Sequence, residues 1–376
     1  MKRFLLAFFC CTSLAAQQPA FVHPVTRVSH NYEWYEQQAK AWRSEIDKGT
    51  ADPSAWIHWF RANRYAAMAN PEKWSGQSGS YFMKEKQLVL LASERIPDSF
   101  EYYFIKAYHE KTYTDEGSKS LKKALQLQPD NPVLLPDLVV MYQFENDSVA
   151  LAEACRRWYD SNEMPQEFMM NAYNNLVSLE PNSVLVVTGD NDTYPYWILQ
   201  EVKNIRRDVL VLNASMAVLE GYRNRVFAEM GLPALKVEGD NVELSDLFRH
   251  LVQFSVRRPL YVSAFAVSGM YEAYKDKMYF VGLAYKFSPK PFDNMAVLRS
   301  NVENLYLLDF LKESFYASYA QSSVDMLKSG YFMVFMKLYE SFMAKGDKVN
   351  ADKYKMRAKE LALKVNKAEW VKYLEK

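Results

Sequence analysis

The sequence is short of the residues that most often mark chemistry. Only three cysteines occur in 376 residues, and two of them, Cys10 and Cys11, fall in the first eleven positions. Cys155 alone remains beyond the leader, so an intramolecular disulfide is not expected. It falls in an apolar helical stretch and reads as a buried small residue rather than a nucleophile. The five histidines, His23, His30, His58, His109 and His250, are widely separated and show no metal-ligand spacing. Neither a Gly-x-Ser-x-Gly elbow nor a phosphate-binding glycine loop is present. Charge of one sign is also lacking: 46 Lys and Arg stand against 45 Asp and Glu, which gives no reason to expect nucleic acid as a partner. After the leader, no apolar run approaches the roughly 20 residues that a membrane-spanning helix needs.

The leader itself, residues 1–16, has the three parts of a secretory signal. Lys2 and Arg3 give a positive start, Phe4 to Leu14 is a short apolar stretch, and Ser13-Leu14-Ala15 is a small-x-small cleavage pattern, with Ala16 as the other cut. Gln17 and Gln18 then open a polar chain. Lipid attachment is the weaker reading, because Cys10 and Cys11 lie behind Phe9 where a modification site wants a small residue. The expected location is the periplasm of a Gram-negative bacterium. The chain beyond residue 16 is long enough for two or three domains.

Aromatic residues are plentiful, at 15%. Trp56, Trp59 and Phe60 follow helical spacing, which suits helix–helix packing better than a carbohydrate-stacking face. Residues 17–182 read as helical from about 31 onward. Phe104, Tyr108, Gly117, Leu121, Ala124, Leu127 and Pro129 fall where a tetratricopeptide-like repeat of ~34 residues wants its large, small and proline positions. Gly117 and Ala124 would let one helix approach its neighbour closely. Leu138 and Tyr142 after Asp130-Asn131-Pro132, and Ala172, Leu176, Leu179 and Pro181, continue the pattern.

Residues 183–295 change period. Val184 to Thr188 is a continuous, mostly β-branched run that reads as a strand buried on both faces. Gly189-Asp190-Asn191-Asp192-Thr193 comes next, then a helix over about 194–204 and a second strand over Val209–Asn213. Strand, helix and strand at that spacing is a βαβ unit with parallel strands. Helices at about 217–230 and 241–256, and strands at Leu260–Ala264 and Gly282–Phe287, complete a small, mainly parallel α/β domain. Residues 296–376 return to helix. Asn301–Lys312 carries Leu305, Leu308 and Leu311 at helical spacing, and Gly346-Asp347 separates two more repeat-like helices. The lysine-rich end, with Leu361 and Val365 beneath it, reads as a solvated face rather than a membrane-binding one.

The run Val187-Thr188-Gly189-Asp190-Asn191-Asp192-Thr193-Tyr194-Pro195, with Trp197 and Gln200-Glu201-Val202, resembles a block in large Bacteroidetes membrane proteins described as protein O-mannosyltransferase-like. The likeness continues through Arg207-Asp208-Val209, Asn213, Arg258-Pro259-Leu260-Tyr261 and Gly282-Leu283-Ala284-Tyr285. It covers about 183–312, with tetratricopeptide-like helices following in both. The resemblance implies the block's fold, an extracytoplasmic location and a link to envelope glycans. It does not imply transferase activity, because sugar transfer would involve a multi-spanning region that these residues do not contain.

Asp190 and Asp192 sit at the carboxyl end of the first strand, where open α/β sheets place ligands. Together they could hold Mg²⁺ or Ca²⁺ through oxygen. Asp-x-Asp also occurs in metal-dependent glycosyltransferases and in aspartyl-phosphate phosphatases, though the latter want threonine one position beyond Thr193. A ligand-binding loop would use Asp190, Asn191, Asp192 and Thr193, with Trp197 and Glu201 on one face of the next helix. The competing expectation is local: Asp190 caps that helix, Asn191 and Thr193 satisfy turn backbone groups, and Pro195 suits its first turn. The expected role is an exported, non-catalytic binding or scaffold protein whose repeats hold a protein partner, within a glycan or envelope complex. The alternative is an enzyme or enzyme subunit of envelope glycan metabolism with a divalent cation at Asp190 and Asp192. A third is a stabilising partner for a separately encoded membrane transferase.

Overall fold

A computed structural model describes residues 19–49, 52–71, 78–237, 242–254, 258–313 and 321–375. The leader expected at residues 1–16 lies outside them. The chain divides into two compact units, one formed by Ser29–His109 with the residues up to Val25, the other by Thr26–Val28 with Glu110–Lys376.

The first unit holds α1 (Tyr32–Asp47), α2 (Ala55–Ala69), α3 (Ser78–Arg95) and α4, which runs Phe100–Glu110 across the boundary. Asn31 starts α1 by accepting the Trp34 N–H at 3.0 Å, which satisfies one of the helix's free amides. The core is aromatic, as the spacing implies: Tyr35 and Tyr65 pack with Val22, Ala39, Ala62 and Ala66, rimmed by Trp34, Trp42 and Trp59. His58 belongs to this packing. Its Nδ1 accepts the Val22 N–H, Trp42 stacks on its ring, and burial with the nearby Arg61 charge lowers its pKa to about 4. It therefore stays neutral at physiological pH.

The second unit begins with α5 (Asp115–Leu127), α6 (Leu135–Glu145), α7 (Ser148–Asp160) and α8 (Gln166–Ser178). Gly117 is required locally, since a Cβ there would meet the Lys111 carbonyl oxygen at 2.0 Å. Its small size serves the turn before α5. Leu121 and Ala124 are buried, whereas Leu127 is 48% exposed.

The sheet comes next: β1 (Val184–Val187), α9 (Tyr194–Lys203), β2 (Leu210–Asn213), α10 (Ala214–Ala217), α11 (Glu220–Glu229), α12 (Leu244–Phe254), β3 (Leu260–Ser263), β4 (Met278–Phe280) and β5 (Ala284–Phe287). Strand order is β2-β1-β3-β5-β4. β1 pairs in parallel with β2 and β3, while β5 runs antiparallel to both β3 and β4. The βαβ expectation holds for the centre of the sheet, but its other half is an antiparallel hairpin, so the fold is a mixed α+β arrangement. All four β1 residues are buried, as strands covered on both faces must be.

Charged residues within 206–209 and 258–261 tie the starts of the three parallel strands together. Arg206 donates to the Leu176, Leu179 and Glu180 carbonyls and to the Asp208 carboxylate. Arg258 donates to the Asn182, Ser183 and Asp208 carbonyls. The Arg206 pairing, helped by the Asn182 N–H, holds the Asp208 carboxyl well below the usual carboxylate range. A depressed carboxylate stabilises the fold above its unfolded pKa, and that contribution disappears as pH falls through the folded value. Arg206→Ala removes a donor from three carbonyls at once, of which Leu176 keeps the Leu179 N–H. The expected loss is about 2 kcal/mol at pH 7 in a urea titration, and smaller at pH 2.

The C-terminal part comprises α13 (Asn294–Ser300), α14 (Gln321–Ala344), α15 (Lys348–Lys364) and α16 (Ala368–Leu374). α14 and α15 form a hairpin closed by Gly346, at φ +73°, and by Asp347, which accepts the Asn350 N–H. The apolar stretch Asn301–Lys312 departs from the expected regular helix. The Tyr306 N–H reaches back five residues to the Asn301 carbonyl, and Tyr306 is extended, at ψ 132°. Asn174 of α8 then takes both backbone groups of Leu307, which fixes the break.

Candidate functional site

The loop after β1 is built by its own short side chains. Gly189 takes φ +78°, a left-handed turn that glycine adopts without strain. Thr193 is fully buried; its hydroxyl donates to the Gly189 carbonyl at 2.7 Å and accepts the Asn213 amide at 2.9 Å. Asn213, at the end of β2, also accepts the Met216 N–H at the start of α10. One threonine thus locks the ends of two strands and two helix starts together.

Asp190 does not cap α9 with its side chain. Its main-chain carbonyl accepts the Thr193 and Tyr194 N–H groups, and its carboxylate accepts the Tyr194 hydroxyl at 3.1 Å. Crowding raises its pKa, while the Tyr194 hydroxyl and the Arg27 charge pull it down. The residue keeps an exposed surface, so water limits that shift. Pro195 lies in the first turn of α9, as expected.

Asn191 turns toward the Thr26–Val28 segment of the same unit. Its amide donates to the Thr26 carbonyl at 2.7 Å, and its oxygen accepts from the Arg27 guanidinium. Arg27 is 6% exposed, with its other arm at the Met164 sulfur and its face over the Phe168 ring. Ser323 of α14 donates to the Thr26 and Arg27 carbonyls. The loop is therefore already engaged by a charged side chain of its own polypeptide.

Asp192 points inward. It is 8% exposed, and Ser263 Oγ, at the end of β3, donates to its Oδ1 at 2.7 Å. Its other oxygen has no hydrogen-bond partner. Burial pushes its pKa up to about 7; the Ser263 hydroxyl, the Thr188 backbone and the Tyr196 hydroxyl act the other way without closing a bond on that second oxygen. Below it, Tyr196 Oη accepts from Asn175, and Asn175 also donates to the Leu283 carbonyl. A carboxylate of raised pKa touching a serine has the makings of an acid–base pair. Here Ser263 is 1% exposed, which leaves a substrate atom no approach.

Trp197 is 4% exposed and packs beside Tyr194 in the core. Glu201 pairs with Arg207 at 2.8 Å near the helix end. These two residues do not join the loop's polar cluster. Asp190 and Asp192 engage separate partners, Tyr194 and Ser263, and a cation between them would need its remaining oxygens from backbone and water. Among the described residues, no three His, Cys, Asp or Glu side chains converge as a metal site would require. Cys155 is buried and its thiol pushed well up by burial, in keeping with a packing role.

Sequence reasoning missed Ser263, Tyr196 and Arg27. Ser263 closes a strand that was expected, so its place opposite the loop follows once β1 and β3 are paired. Arg27 lies 164 positions from Asn191 and carries no local signal.

Gly282 is explained by geometry. Its φ is +130°, and a Cβ there would meet the Tyr306 hydroxyl at 2.2 Å. That hydroxyl accepts the Leu283 N–H, so the glycine clears the way for a buried tyrosine.

Among the described residues, no helix is long and apolar enough to cross a membrane. A search of curated proteins finds no match to this chain. Residues 168–230 match the family described as TMEM260-associated domain 2, a stretch that runs from the Phe168 ring under Arg27 through α8, β1, the Gly189–Thr193 loop, α9 and β2 into α11.

Proposed function

We propose that this chain is an exported, non-catalytic binding or scaffold protein of the cell envelope, whose tetratricopeptide-like hairpins hold a protein partner of the glycan-assembly machinery. One observation carries the reading: the side chains that chemistry would need are committed to the fold. Asp192 is sealed against Ser263, and Asn191 is tied to the Thr26–Arg27 segment. The resemblance to mannosyltransferase-like membrane proteins and the family match over 168–230 support an association with such enzymes. In this reading the chain could serve as the stabilising partner of a separately encoded membrane transferase.

Asp190 keeps the alternative in play, since it retains an exposed surface at the carboxyl end of β1. In that reading the chain is an enzyme or subunit of envelope glycan metabolism, with Mg²⁺, Mn²⁺ or Ca²⁺ at Asp190 and Asp192. Two measurements separate them. In-cell crosslinking of the full chain should return one stoichiometric partner from the envelope fraction. Calorimetric titration with each cation should show no saturable heat; saturable binding by wild type that Asp190→Asn abolishes would put a cation at the loop, as the enzyme reading requires.

A further inference from the structure

A groove of about 640 Å³ opens between the irregular 301–312 segment, α14 and α15. Its apolar lining includes Leu307, Leu311, Phe335 and Leu361, and Leu307 is 47% exposed. Lys353, Arg357 and Lys364 line one wall, spaced along α15 by four and seven residues so that they share a face. Lys312 stands across from them.

The groove's acids do not balance these cations evenly. Glu303 accepts from Arg299 at 2.8 Å and Tyr354 at 2.9 Å, with Lys353 at 3.6 Å, so it is already neutralised. Asp309 is 96% exposed and only 3.9 Å from Lys312, an ion pair held in water. Glu360 is exposed on the same face of α15, three residues from Arg357 and four from Lys364, and among the described residues it makes no close ion pair with either. Among the described residues, Arg357 and Lys364 make no ion pair; the Arg357 guanidinium instead lies over the Phe335 and Tyr354 rings. The sequence between Glu313 and Gln321, Ser-Phe-Tyr-Ala-Ser-Tyr-Ala, has no acidic side chain to offer them. The lining thus carries four cations, Lys312, Lys353, Arg357 and Lys364, against three acids, Glu303, Asp309 and Glu360, an excess that an acidic ligand would balance.

We infer that this groove is a docking site for a short, extended acidic peptide of a partner protein, with carboxylates at Arg357 and Lys364 and apolar side chains on Leu307, Leu311 and Phe335. The inference rests on the partner-binding reading above and gives it an address. From Lys353 to Lys364 the wall is about 16 Å long at 1.5 Å per residue. An extended peptide covers that in about five residues. An open trough of this length with alternating charge and apolar floor suits a peptide, whose side chains alternate in direction.

The test is selection from a random heptapeptide display library on the full chain, followed by fluorescence polarisation with the enriched peptides. Enriched peptides should carry Asp or Glu beside Leu or Phe. Their affinity should fall at least tenfold with Glu-to-Gln exchange in the peptide, and equally in Arg357→Glu/Lys364→Glu. Circular dichroism, and the milder Arg357→Gln/Lys364→Gln pair, guard against misfolding. Failure to enrich, enrichment without acidic bias, or binding indifferent to both variants would overturn the assignment. So would phosphatidylglycerol vesicles binding through the same two residues while peptides do not. If selection fails but crosslinking still returns a stoichiometric partner, only the groove's assignment falls; if crosslinking fails too, the binding reading falls with it.

Discussion

Asp192→Asn should make the protein more stable at pH 8 than the wild type, by about 2–4 kcal/mol, with the gap closing at pH 4. Proton linkage sets the sign. The folded pKa of Asp192, about 7, lies above the ordinary carboxylate value of 3.8. The folded state therefore holds a proton that the unfolded state has already lost between those two values. Stability from this group is fully present below about pH 4 and is lost as pH rises toward 7. A shift of that size corresponds to about 4 kcal/mol once the group is fully ionised. Asparagine keeps an oxygen for the Ser263 hydroxyl and puts an amide where the second carboxylate oxygen now has no partner. It carries no charge to desolvate. In thermal melts the difference at pH 8 should be of order 5 °C. If Asp192→Asn is less stable than wild type by the same amount at both pH values, the buried charge is stabilising and this account of the loop is wrong.

Asn174→Ala should be the most damaging single change outside the hydrophobic core, at about 3–4 kcal/mol. Asn174 is fully buried and makes three hydrogen bonds: from its amide to the Leu307 carbonyl and the Tyr331 hydroxyl, and from the Leu307 N–H to its oxygen. Alanine removes all three and leaves the Tyr331 hydroxyl, itself buried, without that amide. The loss should be local before it is global, because Asn174 holds the irregular segment that forms one wall of the groove. Hydrogen exchange at the Leu307 amide should speed up under conditions where the β1 amides remain protected. Asn304→Ala is the matched control; its single exposed bond to Ser300, at 3.2 Å, should cost under about 0.5 kcal/mol. Equal losses for the two variants would mean that the Leu307 bridge does not organise this region.

The centre of the sheet could be read from the sequence because its signal is local. Val184–Val187 is a continuous apolar run, three of its four residues β-branched, the turn residues sit directly behind it, and Pro195 marks the first turn of α9. The antiparallel edge was only half legible. β5 was expected, but β4 is three residues, Met278-Tyr279-Phe280, none of them fully buried, and gives almost no periodic signal. The break at 301–308 was hidden for the opposite reason. Leu305, Leu308 and Leu311 imitate a helix, yet Leu305 is 39% exposed and a side chain from α8 decides the backbone. Long-range hydrogen bonds of this kind leave no trace in spacing.

The candidate site shows the same division. Gly189, Thr193 and Pro195 do what short-range chemistry predicts. Asp190 takes part in starting α9, but through its carbonyl rather than its carboxylate. The direction in which Asp192 points, and the Arg27 guanidinium at Asn191, depend on residues far away in sequence. Arg206 and Arg258 serve the opposite ends of the strands from the loop, on backbone carbonyls that sequence spacing does not point to.

The central claim is that the Asp-x-Asp loop serves the fold and that Asp192 is sealed within it. Titration of Asp192 by carboxyl ¹³C NMR in aspartate-labelled protein, with and without Mg²⁺ or Mn²⁺, tests this most directly. The account predicts a midpoint near 7 that neither cation moves. A midpoint in the ordinary aspartate range, shifted or broadened by the metal at stoichiometric concentration, would contradict it.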